Sequence, residues 1–305
     1  MFVLAHISDP HLAPMPRPRF ADLLGKRITG YLNWQLRRAP HHLPGTIDAI
    51  VNDVVAAHPD HVVVTGDLVN LALPDEFVMA RKFLARLGTP EKVSVIPGNH
   101  DFYVRGAEAG YLDAWRDFLS ADEVGKFPFP FLRRRGPVAI IGTSTAVATL
   151  PLFATGRLRR EQLERLEMML ERLRREKCFR VVLIHHPPVG SRPWLRRLTD
   201  ADAFSSVIAR HGAELILAGH DHSAARDEIP GPDGPVPVVQ VPSASAPFGD
   251  RHCAASYNLY RIDGGPGAWF CEMEMRGVQA NGRIAALGKA QLTARPVVTA
   301  SESRA

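Results

Sequence analysis

The chain has 305 residues, 46% hydrophobic and 23% charged, a composition typical of a soluble globular protein with one large or two small domains. Its 37 Lys and Arg against 32 Asp and Glu give a net charge of +5. That excess suits an anionic substrate but is too small to indicate specific nucleic-acid binding. No apolar run is long enough to predict a membrane-spanning helix. No signal peptide is expected, because the apolar stretch at residues 1–8 is too short and polar residues follow it.

The cysteine usage indicates a reducing environment. Cys178, Cys253 and Cys271 are odd in number and form no close pair. We therefore expect three free thiols and a cytoplasmic location.

Short apolar strands alternate with helices along most of the chain. Strands are predicted at 2–7, 61–65, 92–96, 138–142, 180–184 and 213–218, and helices at 46–57, 75–87 and 159–177. Three further strands, at 236–241, 256–262 and 269–275, are predicted to be antiparallel. The alternation favours an α/β fold with a largely parallel sheet, in which ligands collect beyond the carboxyl ends of the strands.

Clusters of Asp, Asn and His follow five of these strands. They contain Asp9 and His11, Gly66-Asp67, Gly98-Asn99-His100-Asp101, His185-His186, and Gly219-His220-Asp221-His222. Each alone has a simpler interpretation, such as a turn, a helix cap or a buried structural histidine. Together they predict one common metal-binding site, because carboxylate, amide and imidazole ligands suit manganese, iron or zinc. The lack of thiolates argues against a structural zinc site.

The five clusters resemble the motifs of the calcineurin-like metallophosphoesterase superfamily and occur in the order found there. The matching motifs are Asp9-Pro-His11, Gly66-Asp67-x-x-Asn70, Gly98-Asn99-His100-Asp101, His185-His186-Pro187 and Gly219-His220-x-His222. The resemblance implies a four-layer α/β/β/α sandwich with a dinuclear metal site at one edge. We expect this domain to span residues 1–276, with an insert at about 17–42 and a partly disordered C-terminal extension at 277–305.

The resemblance also implies a role for each residue. It places the first metal on Asp9, His11 and His222, the second on Asn99, His185 and His220, and Asp67 between both. The ligand is His185 rather than His186, because the family ligand stands two residues before a proline.

The expected cofactors are two divalent transition metals per chain, manganese and/or iron, with zinc as the other option. His100 would contact the phosphate or help to protonate the leaving group, and Asp101 would orient His100. Asn70 would support its loop without binding metal. Pro97 stands where the family's Ser/Thr protein phosphatases carry an arginine, which favours the bacterial phosphodiesterase-type branch.

Three functions stay open at this stage. The first is a phosphodiesterase that hydrolyses cyclic nucleotides or other small diesters through a hydroxide bridging the metals. The second is a pyrophosphohydrolase of a nucleotide-linked lipid, of the UDP-2,3-diacylglucosamine type. The third is a non-catalytic metal-binding interaction module, which is disfavoured because no ligand position is missing. The expected partner is a small phosphate ester.

Three arginine-containing segments have no assigned role. The 17–42 insert combines apolar residues at helical spacing with Lys26, Arg27, Arg37 and Arg38. It is interpreted either as a helix packed on the domain edge or as a basic amphipathic cap that meets lipid at the inner membrane face. The segment 191–198 could bind a phosphate or stack on a base. The segment 133–135 is predicted to be a solvated turn.

Overall fold

Two six-stranded β-sheets form the centre of the protein in a computed structural model that describes residues 1–23, 25–122, 128–249 and 253–293. The strands are β1 Phe2–Ile7, β2 His61–Val64, β3 Val93–Val95, β4 Phe131–Arg135, β5 Val138–Gly142, β6 Phe179–Leu183, β7 Leu215–Ala218, β8 Ala225–Ile229, β9 Val236–Gln240, β10 Ser256–Gly265, β11 Ala268–Val278 and β12 Ile284–Thr293. Leu24 of the insert and residues 294–305 of the expected extension lie outside the described residues.

The first sheet has the order β12-β11-β10-β1-β2-β3, and the second has the order β4-β5-β6-β7-β9-β8. Strands β1, β2 and β3 run parallel, as do β5, β6, β7 and β9. The five predicted clusters begin at the carboxyl ends of five of these seven strands, β1, β2, β3, β6 and β7.

Alternating side chains show how the layers stack. In β6, Val181 and Leu183 join a large core that contains residues of both sheets, whereas Val182 joins a second core beneath the outer helices. The helices are α1 Lys26–Asn33, α2 Pro44–Ala56, α3 Pro74–Leu87, α4 Ala107–Ala114, α5 Arg160–Glu176 and α6 Ala201–His211. Since α2 and α3 contribute to the first core, and α5 and α6 to the second, the predicted α/β/β/α sandwich is confirmed.

Two sequence-based predictions are wrong. Arg133 lies in strand β4 and is fully buried, so the segment 133–135 is not a solvated turn. Strand β9 runs parallel to β7 and antiparallel only to β8, and it belongs to a different sheet from β10.

Strands of the first sheet continue past residue 276. Residue 277 lies within β11, and β12 continues the same sheet antiparallel to β11. Residues 277–293 thus contribute to this sheet. The sequence did not predict β12 because most of its side chains are at least partly exposed and carry little apolar alternation.

The insert is mainly helical. A 3-10 turn at Phe20–Leu23 precedes α1, which continues into a π-helical turn at Trp34–Arg38 and a 3-10 turn at Ala39–His41. Among the described residues, no helix combines the length and the apolar character needed to cross a membrane.

Candidate metal centre

Seven predicted ligands from five strand ends lie in one cluster. Asp9 and His11 follow β1, Asp67 follows β2, Asn99 follows β3, His185 follows β6, and His220 and His222 follow β7. Potential ligand atoms of Asp9, His11 and His222 all lie within 4.8 Å of one another, as do those of Asp9, Asp67 and His185. The sheet topology thus assembles residues that are more than 200 positions apart in sequence.

The first group surrounds one oxygen of Asp9. The distance from Asp9 Oδ1 to His222 Nε2 is 3.2 Å, and that to His11 Nε2 is 3.9 Å. The other oxygen, Oδ2, accepts hydrogen bonds from Ser8 Oγ and from the His220 backbone N–H. Asp9 Oδ1 itself is buried and has no hydrogen-bond partner, an arrangement that is costly unless a cation binds there.

Asp67 occupies the position between the two groups. Its Oδ2 lies 3.7 Å from His11 Nε2 and 3.5 Å from His185 Nε2. Its Oδ1 accepts a hydrogen bond of 2.7 Å from the His100 backbone N–H, which fixes the carboxylate. One oxygen of Asp67 therefore faces ligand atoms of both groups.

The second group forms around His185. Its Nδ1 donates to the Thr65 carbonyl at 2.7 Å, so Nε2 is left to face Asn99 Oδ1 at 3.3 Å. Burial alone would lower the pKa of His185, but the Asp67 carboxylate raises this pKa to about 9. Positive charge is thus stabilised at this nitrogen. His220 donates from Nε2 to the Arg196 carbonyl, which leaves its Nδ1 available.

The neighbouring His186 is bound elsewhere. Its Nδ1 lies 2.7 Å from Thr145 Oγ1 and its Nε2 lies 3.1 Å from the Ala154 carbonyl. Both ring nitrogens therefore have protein partners, although the residue is close to His185 and His220. These contacts favour His185 over His186 as the ligand.

Backbone strain coincides with the cluster. Five of the seven predicted ligands have positive φ angles, a conformation that non-glycine residues rarely adopt: Asp9 (50°), His11 (37°), Asp67 (55°), His220 (73°) and His222 (54°). Such strain concentrates at functional sites, where precise side-chain placement outweighs its cost.

His100 borders the cluster, but Asp101 does not orient it. The ring Nδ1 of His100 donates to the Asn70 carbonyl at 2.7 Å. Asp101 instead accepts backbone N–H bonds from Asp67, Leu68, Val69 and Gly98. The predicted orienting role of Asp101 is therefore wrong, and this carboxylate joins the two ligand-bearing loops.

Asn70 supports its loop through similar contacts. Its side-chain Nδ2 donates to the Leu12 carbonyl at 3.0 Å, and its backbone N–H donates to the buried Glu76. Glu76 also accepts from the backbone of Leu71 and Leu73 at the start of α3. Sequence reasoning missed Glu76, although an acidic residue in the first turn of a helix is a recognised capping signal.

A second residue missed from the sequence is Ser8, which joins a buried hydroxyl chain. Thr65 Oγ1 donates to Ser8 Oγ at 2.7 Å, and His6 Nε2 lies 2.9 Å from Thr65 Oγ1. Since Ser8 in turn donates to Asp9, this chain orients the first-group carboxylate. The available signal was position alone: Ser8 and Thr65 immediately precede motif residues at two strand ends.

Arg38 is the residue through which the insert contacts the ligand cluster. Its Nη1 lies 2.9 Å from His100 Nε2, and its Nη2 lies 3.1 Å from His11 Nε2. Burial and then the Arg38 charge lower the pKa of His100 to about 4, so this imidazole is neutral at pH 7. A cavity of about 920 Å³ opens above the cluster, with Arg38, His100 and Arg196 in its lining. The insert thus does more than pack on the domain edge.

The donor set fits divalent transition metals. It combines carboxylate and amide oxygens with four imidazoles, each of which directs one ring nitrogen to the cluster or leaves it available. Among the carboxylate oxygens, Asp9 Oδ1 is buried without a hydrogen-bond partner. The cysteines are free thiols, as predicted, and none belongs to these ligand groups.

Two relatives of known or probable activity share part of the sequence. A probable cyclic nucleotide phosphodiesterase of Synechococcus sp. is 29% identical over 183 residues, or 58% of this chain and 63% of that protein. The glycerophosphodiester phosphodiesterase GpdQ of Enterobacter lignolyticus is 36% identical over 107 residues, or 32% of this chain and 29% of that protein. The matches thus span less than two thirds of either relative's own length.

Two solved structures have a similar fold. A dimetal phosphatase from Danio rerio aligns with a TM-score of 0.63 at 14% identity, over 96% of this chain and 98% of that one. The purple acid phosphatase PPD1 of yellow lupin (Lupinus luteus) aligns with a TM-score of 0.54 at 13% identity, over 93% of this chain and 52% of that one. At these identities the likeness establishes the fold alone.

The family profile covers most of the chain. The profile of the calcineurin-like phosphoesterases matches residues 2–224, the region that contains all seven predicted ligands. This match confirms the resemblance recognised from the five motifs. The chain therefore belongs to the calcineurin-like phosphoesterase family.

Proposed function

We propose that this protein is a dinuclear-metal-dependent phosphodiesterase that hydrolyses small phosphodiesters, including cyclic nucleotides. The observation that carries this proposal is the position of Asp67 Oδ2, 3.7 Å from His11 Nε2 and 3.5 Å from His185 Nε2. A carboxylate oxygen that faces two ligand groups at once is suited to hold two ions close together.

Each group has a separate role in this proposal. Asp9, His11 and His222 would hold one ion, and Asn99, His185 and His220 would hold the other, with Asp67 common to both. When bound, the two ions supply an activated water for attack on phosphorus and positive charge that offsets the phosphate. Thr65 and Ser8 orient His185 and Asp9 through the hydrogen bonds described above.

Support for a diester substrate comes from the relatives and from the cavity. Both relatives have names that denote phosphodiesterases. The cavity of about 920 Å³ is large enough for a nucleotide-sized ligand and is lined by His11, Asp67 and His220, among other residues. His100 lies at the same border, where it would contact the bound phosphate.

The test is a substrate panel with purified, manganese-loaded protein. It compares an activated aryl phosphodiester, the matching monoester, cyclic nucleotides and glycerophosphodiesters, before and after chelation. The proposal expects diester hydrolysis that chelation abolishes and manganese restores. Activity confined to monoesters, or diester hydrolysis that survives complete metal removal, would contradict it.

A second candidate is the hydrolysis of a nucleotide-linked lipid, because the insert exposes apolar side chains beside the cavity. Leu36 is 79% exposed and lines the cavity, and Leu32 and Ile28 are 54% and 51% exposed. Including UDP-2,3-diacylglucosamine in the panel separates the two candidates. Turnover of this lipid that exceeds turnover of every soluble diester would favour the second.

A further inference from the structure

The insert places a cation over the metal centre without an acidic partner. Arg38 contacts the ring nitrogens of His100 and His11. No carboxylate in the described ranges forms an ion pair with Arg38. By contrast, Arg192 of the segment 191–198 forms an ion pair with Asp221. Arg37, the preceding residue, is exposed and makes neither histidine contact.

The position of Arg38 is fixed by several anchors of the insert. Arg27 donates to the carbonyls of Leu71 and Ala72 at 2.9 and 2.5 Å. Trp34 is buried and stacks on His42, with ring centroids 5.4 Å apart and an interplanar angle of 5°. The helical turn that ends at Arg38 is thus held against the loop after β2 and against the site wall.

The chemistry of these contacts leaves one arm of the guanidinium available. The Nε2 lone pair of His11 can serve only one partner, so metal ligation at this nitrogen and the Arg38 bond exclude each other. The bond from Nη1 to His100 does not compete with any proposed ligand. With His11 engaged, Arg38 therefore has Nη2 free at the cavity, where a planar fork of donors matches phosphate oxygens.

We infer that Arg38 binds a non-bridging oxygen of the substrate phosphate, so that the 17–42 insert supplies part of the substrate site. This inference rests on the proposed function. It extends that function, because the five motifs contain no arginine, and of the arginines that line the cavity Arg38 is the one that contacts His100 and His11. The bound phosphate would supply the direct ion pair that Arg38 lacks among the described residues.

The experiment measures binding of inorganic phosphate to manganese-loaded protein by calorimetry, together with kcat/KM for an activated aryl phosphodiester. Arg38→Met removes the charge and keeps an unbranched stem, and Arg38→Lys keeps the charge without the fork. Arg37→Met is the matched control for charge at the cavity mouth. Metal content and thermal midpoint are measured for each variant.

Arg38→Met should weaken phosphate binding at least about tenfold, or roughly 1.4 kcal/mol, with metal content unchanged. Arg38→Lys should lose less, and Arg37→Met should stay within about twofold. Phosphate affinity within twofold of the wild type in Arg38→Met, or an equal loss in Arg37→Met, would overturn the inference.

The same data separate the inference from the proposed function. Diester hydrolysis by wild type with no effect of Arg38→Met refutes only the role of Arg38. Phosphate binding that depends on Arg38, in a protein without diesterase activity, supports the role of Arg38 and refutes the proposed reaction.

Discussion

At the scale of single residues, the adjacent histidines His185 and His186 differ in their hydrogen-bond partners. His185 turns Nε2 to Asp67 and Asn99, whereas His186 uses both ring nitrogens for Thr145 and Ala154. Both are fully buried, so exposure does not distinguish them. The hydrogen-bond partners do, since only His185 has a nitrogen facing the oxygen ligands.

Replacing each histidine by alanine should separate these roles. His185→Ala should lower kcat/KM by more than about 100-fold and reduce the bound metal, because it removes a proposed ligand. His186→Ala should keep both metals. Its free energy of unfolding should fall by about 1–3 kcal/mol, because the buried Thr145 hydroxyl and the Ala154 carbonyl lose their partner. Metal analysis and denaturant unfolding provide the two readouts. A larger loss of metal in His186→Ala than in His185→Ala would show that His186, and not His185, is the ligand.

The sequence predicted that the clusters of Asp, Asn and His would converge, because each cluster begins within a few residues of a strand end. The combination of all five clusters, together with the family resemblance, singled out residues such as Asp9, Asp67 and His185 without tertiary information. The backbone partners of Asp101 and the reach of Arg38 could not be predicted, because they depend on how loops from separate strands approach each other.

Strand β4 shows at the level of elements how a charged sequence can be buried. Arg133 donates to the carbonyls of Pro90 and Val93, both at 2.6 Å, and to that of Ser120 at 2.7 Å. It thereby joins β4 to the turn before β3 and to the segment after α4. Three consecutive arginines indicated a solvated turn, because composition does not reveal which side chain of a strand points inward.

Arg133→Met should destabilise the protein by at least about 2 kcal/mol, because it leaves several buried carbonyl groups unpaired. Arg134→Ala is the matched control, since its ion pair with Glu176 lies at the surface, and it should cost about 1 kcal/mol or less. Urea unfolding of both variants checks this. Equal midpoints would show that the Arg133 contacts contribute little.

The insert depends on close contact at one glycine of α1. A Cβ atom at Gly30 would lie 2.3 Å from Tyr103 Oη and 2.6 Å from Leu71 Cδ2. Leu71 is buried and Tyr103 stacks on His100, so neither can move without disturbing the site. Gly45 in α2 has no neighbour within 4 Å of the corresponding position.

Gly30→Ala should therefore displace the insert and lower kcat/KM by at least about threefold with metal content retained. Gly45→Ala should leave activity intact and stabilise the fold by up to about 1 kcal/mol, since alanine favours the helix. Steady-state kinetics and thermal unfolding test the pair. Indistinguishable kinetics of Gly30→Ala and wild type would mean that α1 does not position the site.

At the level of the whole molecule, two sheets bring together residues from position 9 to position 222. The alternation of strands and helices predicted this convergence, and the family motifs predicted the four layers. The parallel pairing of β9 with β7 was not predictable, because an apolar strand sequence does not show which neighbour it will meet. Strand β12 was not predictable because most of its side chains are at least partly exposed. The candidate metal centre lies at the edge where strands β1, β2 and β3 of one sheet and β6 and β7 of the other end.

The proposed dinuclear centre can be tested by metal analysis of the purified protein and of Asp67→Ala, after loading with manganese and removal of excess. We expect about two ions per wild-type chain, diester hydrolysis that requires both, and a loss of bound metal and nearly all activity in Asp67→Ala. Asp9→Ala, the control, should chiefly lose the ion proposed to bind Asp9, His11 and His222. A fully active wild type with one ion or none, or Asp67→Ala with wild-type turnover at saturating manganese, would refute the dinuclear centre.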